Sequence, residues 1–269
     1  MKKILYLTNF YYEANGREYF REDLYITSKL KEHFHLLIAH PQQALEFLDC
    51  ADLIVFRNTN PVLEYQEYFQ KFLKEIKKRN ILTFNSFDGK ADIQGKQYLV
   101  DLTNLNYPVI PTVSTLEELP RLGISDKYIV KIKNGADSIG MEILTKKELE
   151  ETDLKGKLIQ PFTDFKHEVS FYYLNKEFQY ALYAPNKEKR WQLEEYKATP
   201  EDLKFAKLFI EWNNIERGIT RVDACRLPDG SLLLVELEDL NPYLSLDLLE
   251  NEKRDKFVYN FIQVLREVE

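Results

Sequence analysis

A parallel α/β beginning followed by a mostly antiparallel α+β remainder is what this 269-residue sequence predicts. Three observations lead there. In the first third, short apolar strands alternate with amphipathic helical stretches, as in a parallel sheet flanked by helices. Further along, longer runs alternate apolar and polar residues with period two and meet at tight turns, as antiparallel hairpins do. Hydrophobic residues make up 44% of the chain, enough for a substantial core and against wholesale disorder.

Ile4 to Thr8 reads as a first strand rather than part of a signal peptide, since Met1-Lys2-Lys3 runs straight into it and Asn9 follows. Glu18 to Glu32 carries a helical pattern, Phe34 to Ala39 a strand, Gln42 to Leu48 a short helix and Leu53 to Arg57 a strand. Val62 to Arg79 is a long amphipathic helix, and Ile81 to Asn85 another strand. The turn-rich Asn85-Ser-Phe-Asp-Gly89 leads to a helix that Gly95-Lys96 opens, that runs through Leu105 and that Pro108 and Pro111 end. Thr115 to Leu122 is a short helix, Tyr128 to Lys133 a strand, and Asn134 to Gly140 a polar loop before a strand near Met141 to Leu144. Leu158 to Phe162 is strand-like, and Glu168 to Leu174 and Glu177 to Pro185 turn back on each other at Asn175-Lys176. A charged segment, Asn186 to Lys197, precedes a helix from Pro200 to about Glu216, and Leu246 to Glu267 closes the chain as a helix.

Between those last two helices lie two strands, Ile219 to Arg226 and Ser231 to Asp239, joined at Pro228-Asp229-Gly230. Alternation puts Arg221 and Asp223 on one face of the first and Glu236 and Glu238 on one face of the second, with Val222, Ala224, Leu233, Val235 and Leu237 as the apolar counterpart. A two-residue turn at Asp229-Gly230 sets Asp223 opposite Glu236 and Arg221 opposite Glu238. Pro228 instead favours a type I turn with Gly230 as a bulge, which shifts the count by one. The apolar pattern arbitrates for a shared charged face. Two carboxylates about 5 Å apart repel by roughly 3 kcal/mol at an effective dielectric of about 20. A divalent cation with oxygen ligands and a phosphate-rich partner relieves that. A solvated strand face with surface ion pairs is the competing reading.

Composition bounds the partners. A net charge of −7 argues against broad nucleic-acid or anionic-membrane binding. No apolar run approaches the ~20 residues of a membrane helix. Cys50 and Cys225 make no disulfide framework or zinc spacing, and a reducing cytoplasm fits. Val130-Lys131-Ile-Lys133-Asn134-Gly135-Ala-Asp-Ser138-Ile-Gly140 is a lysine-bearing strand running into a glycine-containing loop. Lysine is a point charge for phosphate oxygens, and exposed N–H groups suit a phosphate chain. The run fits neither a P-loop nor a dinucleotide-binding fingerprint, and a solvated turn is its ordinary reading. His167 reads as a solvated strand-end histidine, while Trp191 in a polar loop is placed to meet a ligand.

The order of these signals carries more than any one of them. Lys96, the Lys131 loop, Ile159-Gln160-Pro161-Phe162, Glu168, Arg221/Asp223 and Glu236/Glu238 follow one another in a way that resembles the ATP-grasp ligases. These include D-alanine–D-alanine ligase, bacterial glutathione synthetase and the ribosomal-protein glutamate ligases. The resemblance covers nearly the whole chain and is clearest from Lys96 to Leu246. It implies the ATP-grasp fold: an N-terminal parallel α/β domain (1–94) and two α+β subdomains (95–160 and 161–269) that sandwich ATP. It also implies roles. Lys96 and Lys131 resemble the lysines on the α/β phosphates, with Lys133 an added charge and Ser138 in the covering loop. Gln160, Pro161 and Phe162 resemble the hinge that binds adenine, and Glu168 the residue that holds the ribose. Asp223, Glu236 and Glu238 resemble magnesium ligands, joined by Asn241 of the Asn241-Pro242 pair. Many relatives have asparagine in place of Glu238. Arg221 resembles the arginine that stabilises an oxyanion, and Arg190 one that grips a transferring phosphate. Ile132 replaces a common proline, and the paired glycines expected near Lys187 to Gln192 are missing.

The resemblance thus implies a magnesium-dependent, ADP-forming carboxylate–amine (or thiol) ligase acting through an acyl phosphate. Its partners would be ATP, Mg2+ and small-molecule or peptide carboxylate and amine substrates, with no nucleic acid and no membrane. A homo-oligomer is left open. A small-molecule kinase on the same fold and a non-catalytic nucleotide-binding regulator remain the alternatives.

Overall fold

A computed structural model describes residues 1–14, 16–59, 61–134 and 140–269. The first sheet is parallel. Strands β1 (Lys3–Leu7), β4 (His35–Ala39), β5 (Leu53–Phe56) and β6 (Leu82–Phe84) stand in the order β4-β1-β5-β6. A small hairpin of β2 (Glu13–Ala14) and β3 (Arg17–Glu18) precedes helix α1 (Phe20–Leu30). Helix α2 (Gln66–Arg79) follows a 3-10 turn at Val62–Tyr65. All four residues of β5 are buried, as a central parallel strand covered on both faces requires. Helix α2 buries Phe69, Phe72 and Ile76, and stops at Asn80, a left-handed residue whose N–H returns to Ile76 O.

The second sheet is small and antiparallel: β7 (Lys127–Ile132), β8 (Glu142–Thr145) and β9 (Lys157–Pro161), in the order β8-β7-β9. Helix α4 (Lys146–Glu150) starts on a reciprocal cap between Thr145 and Glu148. Tyr128, Val130 and Ile159 form this layer's core with Val113, Leu119, Leu122 and Leu149. Their neighbours Ile129 and Lys131, with Leu158 and Gln160 opposite, take the other face.

The third sheet holds the charged hairpin. Strands β10 (His167–Leu174), β11 (Glu177–Ala184), β12 (Glu194–Glu195), β13 (Ile219–Arg226) and β14 (Leu232–Glu238) run in the order β12-β11-β10-β13-β14. One face packs Phe171, Val222 and Leu234 against Phe209 and Ile210 of helix α5 (Pro200–Asn213). At one end of the other face, Tyr172, Tyr180 and Ile219 join a core shared with Ile4, Tyr6 and the last helix, α6 (Asn251–Glu267). Among the described residues no helix is long and apolar enough to cross a membrane.

Helix α3 (Gln97–Asn104), placed from sequence at the start of the small subdomain at residue 95, packs into the core of the large sheet. Tyr98, Leu99 and Leu102 lie on one side of that helix and meet the apolar face that carries Phe171 and Val222. Val109 bridges to Leu234 of β14, so the chain leaves the large sheet only near Val113, where the core of the small one begins.

The hairpin register answers the question its turn raised. Gly230 N–H donates to Leu227 O (3.0 Å) with Gly230 at φ +91°, which is the type I turn with a glycine bulge. Near the turn, Arg226 therefore faces Leu232 and Ala224 faces Leu234. Between Asp223 and Ala224 the register shifts again, leaving Val235 as an extra residue on β14, and Asp223 faces Glu236 and Arg221 faces Glu238. The two one-residue offsets cancel. Their cost falls on the apolar pattern: Leu232, Leu234 and Leu237 are the buried ones, whereas Leu233 and Val235, expected in the core, are only half-buried.

Candidate active site

Glu168, Ser170 and Tyr172 of β10 share a sheet face with Asp223 and Arg221 of β13 and with Glu236 and Glu238 of β14. That face floors a cleft of about 420 Å3 whose other walls are the turn Asp92–Gly95 and the N-terminal domain. Asp223, Glu236 and Glu238 each bring a carboxylate oxygen within 4.8 Å of the others. Two cations hold them. Arg221 clasps Asp223 from Nε and Nη2 (2.9–3.0 Å), and its Nη2 also meets Glu238. The Lys96 ammonium donates to Glu236. Ser170 Oγ donates to Asp223 at 2.6 Å.

The charges titrate against one another. Burial raises the Glu238 carboxyl far above its ordinary value against the attraction of Arg221, with Asp223 and Glu236 adding repulsion. Burial also opposes ionisation of Glu236, yet Lys96, with Lys131 and Arg221 behind it, holds its pKa below the usual value. Burial would lower Lys96, but its contact with Glu236 outweighs that and raises it. Lys131 is lowered, first by burial and then by repulsion from Lys96 and Arg190. Glu168 is raised by burial, although Arg190 Nε donates to it at 2.9 Å.

The other residues singled out from sequence divide in two. Lys96 and Lys131 come to the acidic face; Arg190 reaches it through Glu168. Lys133 follows the small sheet's central strand, and its backbone carbonyl accepts from Lys96 N–H (2.8 Å). Gln160 is buried, its amide donating to Thr112 Oγ1 (2.9 Å). Pro161 has no N–H, and the N–H of Phe162 donates to Lys127 O (2.9 Å), so two hinge positions offer no donor to a base. Asn241 lines the cleft, and its amide donates to Thr59 (2.8 Å). Ser138 lies outside the described residues.

Two acidic residues were missed from the sequence. Asp92 lines the cleft on the 3-10 turn Asp92–Gln94, and burial, with Glu236 and Asp239 nearby, raises its pKa to about 7. Asp239, fully buried just after Glu238, accepts from Ala91 N–H (3.1 Å) and Ile93 N–H (2.9 Å) and thereby holds that turn. A β-carbon at Gly89 would lie 2.1 Å from Asp239 Oδ2, so the chain must pass there as glycine. The available signal was a carboxylate inside the glycine-bounded run Gly89-Lys-Ala-Asp-Ile-Gln-Gly95.

No protein-family model and no curated protein matches this sequence. Solved structures do match. D-cycloserine synthetase DcsG superposes with a TM-score of 0.73 at 15% identity, covering 98% of this chain and 99% of that one. The D-alanine–D-alanine ligase of Bacillus anthracis, solved with ATP, gives 0.64 at 12% identity over 98% and 96%. A RiPP-associated ATP-grasp ligase of Chryseobacterium gregarium, solved with ADP and a leader and core peptide, gives 0.64 at 12% over 99% and 97%. Over almost its entire length, then, this chain has the ATP-grasp fold.

Proposed function

We propose that the protein is an ATP-dependent, magnesium-dependent ligase that joins a carboxylate to an amine. The observation that carries this reading is the convergence of Asp223, Glu236 and Glu238 on one open sheet face, with Arg221 and Lys96 fixed against them. An all-oxygen donor set of three carboxylates fits a hard divalent cation. Magnesium bound there would neutralise the triphosphate. Lys96 and Lys131 would hold phosphate oxygens, Glu168 the ribose and the Gln160–Phe162 hinge the base, and Arg190 would steady the transferring phosphoryl group. A substrate carboxylate oxygen would attack the γ-phosphorus as the bond to the β-phosphate breaks, releasing ADP. The amine would then attack the acyl carbon, phosphate would leave and the amine would lose its proton. Arg221, immobilised by Asp223 and Glu238, would face the developing oxyanion, a role worth about 3 kcal/mol in comparable sites.

The test is magnesium-dependent ADP release over panels of amino acids, small peptides and amines, with product mass. The expected outcome is ADP together with a joined product. A phosphorylated product without joining would make the protein a kinase, and Mg-ATP binding without ADP release over the whole panel would make it a regulator.

A further inference from the structure

The cleft has two unlike ends. Its charged lining residues, among them Asp92, Glu168, Arg190 and the Arg221 cluster, all stand at the phosphate end. The opposite wall belongs to residues 19–70 of the N-terminal domain, where among the described residues no lining side chain is charged. The contrast is sharpest on α2 and the 3-10 turn that precedes it. Leu63, Gln66 and Gln70 follow one another at helical spacing along the side that faces the cleft. Every charged residue from Glu64 to Arg79, in a stretch dense with them, lies off that stripe. Two other polar side chains of the wall are engaged: Asn58 Nδ2 donates to Tyr19 O and Glu22, and Thr59 Oγ1 accepts from Asn241. The Gln66 and Gln70 amides have no protein hydrogen-bond partner among the described residues.

An ion placed against that wall would find no countercharge, whereas an amide or hydroxyl would find a donor and an acceptor on each glutamine. We infer that the part of the substrate that reaches α2 is uncharged, an amide- or hydroxyl-bearing body, and that a free carboxylate or ammonium is disfavoured there. A single small molecule is the expected occupant, since the whole cleft, part of which the phosphates would take, is about 420 Å3, at the small end of ligand cavities. The inference rests on the ligase reading only for what happens at the other end of that molecule.

Crystals of the full chain holding Mg2+ and the ATP analogue AMPPNP, soaked in turn with acetamide, acetate and methylammonium at equal concentration, test it. Acetamide seated on the Gln66 and Gln70 amides at several-fold the occupancy of either ion is the expected result. In the Gln66→Glu/Gln70→Glu variant, whose substitutions are on exposed positions, methylammonium should replace it. An ion at that wall in the unaltered chain, or no acetamide there, overturns the inference. The analogue is scored separately. Its absence from the Asp223–Glu236–Glu238 face would count against the ligase reading and leave the result at α2 intact.

Discussion

Two clusters of buried charge stand about the same loop, and they use the same kinds of residue to opposite ends. In the N-terminal domain, Arg57 pairs with Glu22 at 3.1 Å, and Asp23 accepts from Tyr6 and Thr8. Arg57 is 1% exposed, Glu22 5% and Asp23 3%, so this cluster is sealed. Glu22 also accepts from the backbone N–H groups of Leu244 and Ser245, and so ties down the chain that follows β14. In the cleft, Arg221 and Lys96 face three carboxylates that remain reachable from an open cavity. The first cluster spends its oxygens on protein donors and fixes a loop. The second gathers three of its oxygens at one point and leaves a way in. Convergence and access, rather than burial or the presence of ion pairs, are what separate a site from scaffolding here.

That contrast can be broken first at the sealed cluster. Arg57→Met strands Glu22 and Asp23 in the core, and unfolding measurements should show a loss of about 3–5 kcal/mol. A loss below about 1 kcal/mol would mean the cluster is not the anchor described. The open cluster should behave the other way round. Asp223→Asn and Glu236→Gln should lower Mg-ATP turnover on the order of 10³-fold, about 4 kcal/mol in the barrier, with little change in melting temperature. Retained turnover in both variants sinks the metal assignment. A third probe lies between the two. Gly89→Ala drives a methyl group onto Asp239 and displaces the turn that carries Asp92, and should cost roughly 1–3 kcal/mol of stability and raise KM for Mg-ATP more than it lowers kcat. An unchanged KM would detach that turn from nucleotide binding.

The smallest effect is on pH dependence. Burial, with repulsion from Glu236 and Asp239 only partly offset by Lys96 and Arg221, lifts Asp92 to about 7; burial, partly offset by the N–H groups of Ile93 and Ala91, lifts Asp239 to about 6. Both folded values exceed the unfolded one of about 3.9. Their contribution to stability is therefore complete below about pH 4 and is lost as pH rises through 6 to 7. Without magnesium, the melting temperature should fall between pH 5 and pH 8. Asp92→Asn should flatten that fall and stabilise the protein by about 1–2 kcal/mol at pH 8. A profile identical to that of the unaltered chain would remove Asp92 from the charge balance of the cleft.

What the sequence made legible follows the range of the forces involved. Strand alternation is local, so the shared face of Arg221, Asp223, Glu236 and Glu238 was readable, and so was the parallel order of the first sheet. The hold of Asp239 on Ala91 and Ile93, across nearly 150 residues, has no local trace. Nor does the Glu22–Arg57 pair, whose members look like surface charges on a helix and a strand end until tertiary packing buries them. The core that receives α3 has no local trace either: an amphipathic helix announces that it has an apolar side, not which sheet will receive it. The start of α4, by contrast, had a local signature in Thr145-x-x-Glu148 that went unused.

The paired offsets in the β13–β14 hairpin also bear on how this part of the chain can change over time. Because the turn sets the register off by one and Val235 sets it back, the tip and the charged face are separately adjustable only in matched steps. Losing one residue at Pro228-Asp229-Gly230 while Val235 stays would carry Glu236 and Glu238 to the wrong side of the sheet. Losing both together would shorten the hairpin and keep the carboxylates where they are. Length variation at this tip should therefore be inherited in compensating pairs, and a single-residue insertion or deletion at either place should persist only beside its partner.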